Sequence, residues 1–109
     1  MTPELGLASL RRINRRAELW EDVGGALVFL PAMKIVHNGA TVVVDGLLSP
    51  RSHSSYTTRL FLSRPFPSRG QNWTVHQIMG REWHAMSFNE VPETLPWTDI
   101  LANHLGPLQ

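Results

Sequence analysis

The spacing of apolar residues changes several times along this chain, and each change marks an element. From Pro3 to about Trp20 the apolar positions Leu10, Ile13, Ala17 and Trp20 recur every three or four residues, while Arg11, Arg12, Arg15 and Arg16 gather on another face. This spacing predicts an amphipathic helix. Pro3 and Glu4 suit its first turn, where a missing N–H is no loss and a negative charge meets the positive end of the helix dipole. Gly24-Gly25 ends it.

The pattern then turns to strands. Ala26-Leu27-Val28-Phe29-Leu30 is short, apolar and β-favouring, and Pro31 predicts its end or an edge position. Asn38-Gly39, between Ile35-Val36 and Thr41-Val42-Val43-Val44, predicts a hairpin. Leu47-Leu48 leads into a polar loop from Ser49 to Ser55, Tyr56 to Leu62 alternates as a strand, and Pro65 to Gly70 breaks it. Trp73 to Ile78 reads as another strand, and Gly80 punctuates it. Trp83 to Phe88 fits neither period. Pro96 opens a last helix that places Trp97, Ile100, Leu101, His104 and Leu105 on one face until Gly106-Pro107 stops it. The expected class is therefore α+β: an N-terminal helix, a four-stranded antiparallel meander, an irregular stretch and a C-terminal helix.

Composition narrows the function classes. A chain of 109 residues, 42% of them hydrophobic, suits a single domain over residues 1–109 with one core. Cys is absent, which excludes disulfides, thiolate metal sites and thioesters. The net charge is only +1, so no global field draws nucleic acid. Neither a leader pattern nor an apolar run of about 18 residues occurs, so a cytoplasmic protein with no membrane partner is expected. His37, His53, His76, His84 and His104 show neither the i,i+4 pairing nor the close clusters of zinc sites, and no metal or cofactor is expected.

The order of these pieces is similar to that of the ubiquitin-conjugating (UBC-like) enzymes. Gly46, Pro50, Tyr56, Phe61 and Phe66-Pro67 resemble that family's run from its second strand to a Phe-Pro corner, and Leu95-Pro96-Trp97-Thr98-Asp99-Ile100-Leu101 resembles the start of its helix after the catalytic loop. Gly80-Arg81-Glu82-Trp83-His84-Ala85-Met86-Ser87 resembles the Gly-Arg-x-Trp-x-x-x-Ser pattern of a bacterial branch of conjugating-enzyme-like proteins. The resemblance implies a UBC-like fold, and a ubiquitin-like protein and its activating enzyme as partners. It also implies that the first helix, with Arg11, Arg12, Arg15 and Arg16, belongs to the surface that docks the activating enzyme.

The eukaryotic family carries its cargo on a Cys and uses a His-Pro-Asn motif, whereas this chain has no Cys and follows His76 with Gln77-Ile78. A carrier role then needs another nucleophile. Ser87 is the candidate for an oxygen ester, and His84 serves as base if the segment turns helically, because i and i+3 then share a face. In an extended segment that pairing fails, and backbone N–H groups or Asn89 are left to stabilise an oxyanion. Three readings stand at this point: an oxygen-ester carrier, a non-catalytic module that binds a ubiquitin-like protein or scaffolds its activating enzyme, and an unrelated α+β assembly component.

Overall fold

Helix formation begins where capping permits it. The Thr2 hydroxyl accepts the Leu5 N–H at 3.2 Å, and Pro3 and Glu4 occupy the first turn of helix α1, Pro3–Arg11. The computed structural model describes residues 2–22, 25–51, 56–66, 72–88 and 91–108.

The helix stops well short of Trp20, and Asn14 supplies the reason. Its Oδ1 accepts the Arg16 N–H at 3.2 Å and its Nδ2 donates to the Pro31 carbonyl at 2.9 Å, bonds that compete with a helical ladder. The chain turns there and enters strand β1, Glu18–Asp22, which carries Trp20. Leu10 and Ala17 are both buried, but from opposite sides of the turn, and Ile13 between them is exposed. The helical spacing of these residues is a product of the turn.

Five further strands follow: β2 Gly25–His37, β3 Ala40–Ser49, β4 Arg59–Leu62, β5 Trp73–Ile78 and β6 Arg81–Met86. They form one antiparallel sheet in the order β1-β2-β3-β4-β6-β5. A six-stranded sheet with a short helix near each end replaces the expected four-stranded meander, and the UBC-like fold expectation is corrected accordingly. The added strands are β1, taken from the expected helix, and β6, taken from the segment whose pattern fits neither period.

Pro31 lies inside β2 instead of ending it. Register shifts between Leu30 and Met33, and Ala32 adopts φ +51°, so the proline sits in a β-bulge where no ladder donor is required. The Ala32 N–H donates to Asp45 Oδ1 at 2.9 Å, which ties the bulge to β3. Asn38 and Gly39, at φ +52° and +79°, form the expected tight turn between β2 and β3. Met79 and Gly80, at φ +54° and +75°, repeat this arrangement between β5 and β6.

Both faces of the sheet are buried. On one, Leu30, Leu48, Leu62 and Met86 pack with Leu10, Ile100 and Leu101, under α1 and the second helix α2, Trp97–Leu105. Gly6 permits the two helices to touch, because a Cβ there would collide with the Trp97 indole. On the other face Leu27, Leu47, Phe61, Trp83 and Ala85 form a second cluster, with Trp20 and Phe29 packed against it. Trp20 and Phe29 stack at 4.5 Å, and each meets Trp83 edge-on. A 3₁₀ turn, Gly106–Leu108, follows α2, and His37 Nδ1 donates to the Leu108 carbonyl at 2.7 Å.

Candidate functional site

Within the Gly80 to Asn89 segment, Gly80 belongs to the turn and Arg81–Met86 is the extended strand β6. Strand β6 alternates, with Trp83 and Ala85 in the cluster away from the helices and Met86 in the helix-side core. His84 is partly buried, with Nε2 3.4 Å from Glu82 Oε2. Ser87 is exposed, and its N–H continues the ladder by donating to the Asn72 carbonyl at 2.8 Å. Residues three apart in extended chain point to opposite faces, so His84 is not placed to take a proton from Ser87. Asn89 lies outside the described residues.

The four arginines do not share a helix face. Arg11, in the last turn of α1, donates through Nε to the Ala17 carbonyl at 2.9 Å, which holds the turn together. Arg12 is the exposed C-cap residue. Only Arg15 and Arg16 come together at a concavity.

That concavity is a half-open groove of about 530 Å³ between the turn after α1, the β2 bulge and α2. Ile13, Leu30, Met33, Leu101 and Leu105 supply its apolar lining, and Arg15, Arg16 and Lys34 are exposed cations at its wall. Among the described residues no carboxylate lines it. Asp45, behind the bulge, accepts from Ala32 N–H at 2.9 Å and from Arg81 Nη2 at 2.7 Å. These two bonds, the Ala32 one first, hold its carboxyl below the ordinary carboxylate range, and the Arg16 charge adds to them. Asp45 is thus already engaged, and the cations of the groove keep a net positive field toward solvent. Such a surface binds an anionic segment that also carries apolar side chains.

Two polar clusters lie elsewhere. His104 on α2 is 2% exposed, and its Nε2 meets Thr58 Oγ1 at 2.8 Å. Thr58 Oγ1 donates its single hydrogen to the Val91 carbonyl at 2.9 Å, so His104 must present Nε2–H to it. Burial, and then the Arg59 charge, lower the His104 pKa to about 4, and the ring is neutral. On the opposite face, Arg59 Nη2 donates to Thr74 Oγ1 at 3.3 Å, and Thr74 Oγ1 lies 2.8 Å from His76 Nε2. His53 lies outside the described residues. Among the described residues no group of three His, Cys, Asp or Glu could hold a metal ion, and no helix is long and apolar enough to cross a membrane.

Lys34 and Arg59 escaped sequence reasoning. Lys34 joins the groove only through the bulge that Asp45 fixes from another strand. Arg59 had a readable signal, since alternation in Tyr56 to Leu62 puts it on the face of Phe61, where a charge is unexpected. Comparison with protein-family models, curated proteins and solved structures finds no match to this chain.

Proposed function

We propose that this chain is a cytoplasmic protein-binding module without covalent chemistry, and that its cationic groove docks an acidic, partly apolar segment of a partner protein. One observation carries the reading: the groove joins Arg15, Arg16 and Lys34 to a largely apolar lining that contains no acid among the described residues. Cations of one sign around an apolar floor favour complementary anionic segments and speed their encounter. Two of the four arginines expected at a partner surface line this groove. The partner class, a ubiquitin-like protein or its activating enzyme, rests on the Gly80 to Ser87 pattern alone, since the order of elements no longer supports it.

Calorimetric titration with such a partner should give stable, salt-sensitive binding with no covalent product and no dependence on Ser87. Arg15→Glu combined with Arg16→Glu and Lys34→Glu should abolish it, and binding that survives these reversals refutes the groove. The second reading, an oxygen ester on Ser87, is supported by the exposure of that residue. Activating enzyme, ubiquitin-like protein and ATP would then yield a thiol-resistant, hydroxylamine-sensitive adduct that disappears in Ser87→Ala.

A further inference from the structure

On the face of the sheet away from the helices, one cation is almost wholly enclosed. Arg59 is 3% exposed, and its guanidinium sits over the Tyr56 ring, 3.9 Å from the centroid, with the Phe61 ring 5.6 Å away. Among the described residues the guanidinium makes one hydrogen bond, from Nη2 to Thr74 Oγ1, and its buried Nε has no partner there. The one Arg or Lys ion pair among the described residues is made by other groups, Arg81 with Asp45. Burying a guanidinium without a counter-charge costs several kcal/mol, which is why enclosed charges are ordinarily paired. Burial also pulls its pKa down, opposed only by Tyr56.

The surroundings say what would complete it. Arg59 on β4 reaches across β6 to Thr74 on β5, and Thr74 is paired in register with Ala85, whose small side chain leaves that path open. Thr74 is exposed, Val75 beside it is 58% exposed, and β5 ends the sheet among the described residues. An edge strand presents unpaired backbone groups to an incoming extended chain. Alternation along β6 puts exposed Ser87 on the face of Trp83 and Ala85, which is also that of Arg59.

We infer that Arg59, oriented by the Thr74 oxygen that accepts from its Nη2 while the Thr74 hydroxyl donates to the Ala85 carbonyl, forms a carboxylate site, occupied by the free C-terminal carboxylate of an extended polypeptide that adds to the outer edge of β5. Tyr56 covers one face of the guanidinium, which leaves its plane for pairing, the geometry in which Arg meets a planar carboxylate through two N–H groups. A phosphate dianion calls for more donors than one guanidinium supplies. This site lies on the face opposite the groove and does not depend on it.

Proton–nitrogen NMR of the Arg59 Nε–H tests the site with four probes: acetate, N-acetyl-tetra-alanine with a free C-terminus, its C-terminal amide, and inorganic phosphate. Both carboxylate probes should shift this resonance saturably, the peptide acid at least about tenfold more tightly than acetate because edge-strand bonds add to it. The amide and phosphate should give no saturable shift. Thr74→Ala, at an exposed position, should weaken the peptide acid about fivefold, because Arg59 Nη2 loses the acceptor that orients the guanidinium, and Arg59→Gln should abolish its binding. The triple reversal of Arg15, Arg16 and Lys34 should leave it intact, which separates this site from the groove. Overturning results are no saturable shift with either carboxylate, a response to phosphate alone, an equal response to acid and amide, a peptide acid no tighter than acetate, or unchanged binding in Thr74→Ala.

Discussion

Acidification should unfasten α2 through one histidine. His104 is buried and donates Nε2–H to Thr58, whose hydroxyl is committed to the Val91 carbonyl, so a second ring proton must enter at Nδ1 and leave a charge in the interior. Its pKa, 6.5 in an unfolded chain, falls to about 4 in the folded protein, first through burial and then through the Arg59 charge. Between these values the unfolded chain holds the extra proton and the folded chain does not, so stability rises with pH across this window. The contribution is fully present above pH 6.5, is lost as pH falls toward 4, and declines no further below that. At about 1.4 kcal/mol per pH unit the displacement amounts to about 3 kcal/mol. Urea unfolding at half-unit steps from pH 7.5 to 4 measures it. His104→Gln retains an N–H donor near the Nε2 position and does not titrate, so it should flatten the profile between pH 6.5 and 4 relative to the parent protein. An unchanged profile in that variant, or a His104 ring that titrates near 6.5 by NMR, would refute the assignment.

Two glycines separate crowding from backbone strain. Gly6→Ala drives a methyl into the Trp97 indole and should cost about 3 kcal/mol in chemical unfolding, with a change in Trp97 near-UV signal; a cost near zero would mean that α1 and α2 are not in close contact. Gly80→Ala meets nothing within 4 Å but must hold φ +75°, so it should cost only about 1 kcal/mol and leave the β5–β6 register intact in backbone NMR. Asp45→Ala removes the acceptor of both Ala32 N–H and Arg81 and should cost about 2 kcal/mol. Adding Ala32→Gly should recover about 1 kcal/mol, because glycine relieves the positive φ of +51° at no steric cost; no recovery would argue that the bulge has already collapsed.

The parts of this fold that the sequence made readable are those decided by neighbours in the chain. Asn38-Gly39 dictates its turn because both residues tolerate positive φ, and Trp73–Ile78 and Trp97–Leu105 end where Gly and Pro stand close to their ends. The errors lie where a distant partner decides. Pro31 stays inside a strand because Asp45, on the neighbouring strand, holds the bulge around it. Asn14 turns the chain out of a helix by bonding Pro31 across the fold. Arg81 to Met86 pairs as a strand although its residues mix charge and bulk, since Trp83 and Ala85 fill one face and Met86 the other. The candidate site follows the same division. The cationic cluster around Arg15 and Arg16 was legible, but its depth depends on Lys34, Leu101 and Leu105, which no local pattern brings together. The pairing of His84 with Ser87 required a helical turn, and extended pairing removed it.

The bulge at Ala32 is placed where a fulcrum for the β2–β3 hairpin would lie. Five residues of β2 separate it from Asn38 at the hairpin tip, six steps of chain and so an arm of about 20 Å at the usual rise per residue. A rotation of about 10° at the pivot sweeps that tip through roughly 3 Å. Pro31, Ala32, Met33 and Lys34 line the groove and also form the short end of this arm. Whatever seats there presses on the pivot, and the displacement would be read far from the contact, where Val36 and Val43 face solvent. Amide-exchange rates at those two valines, with and without a groove ligand, would register the sweep.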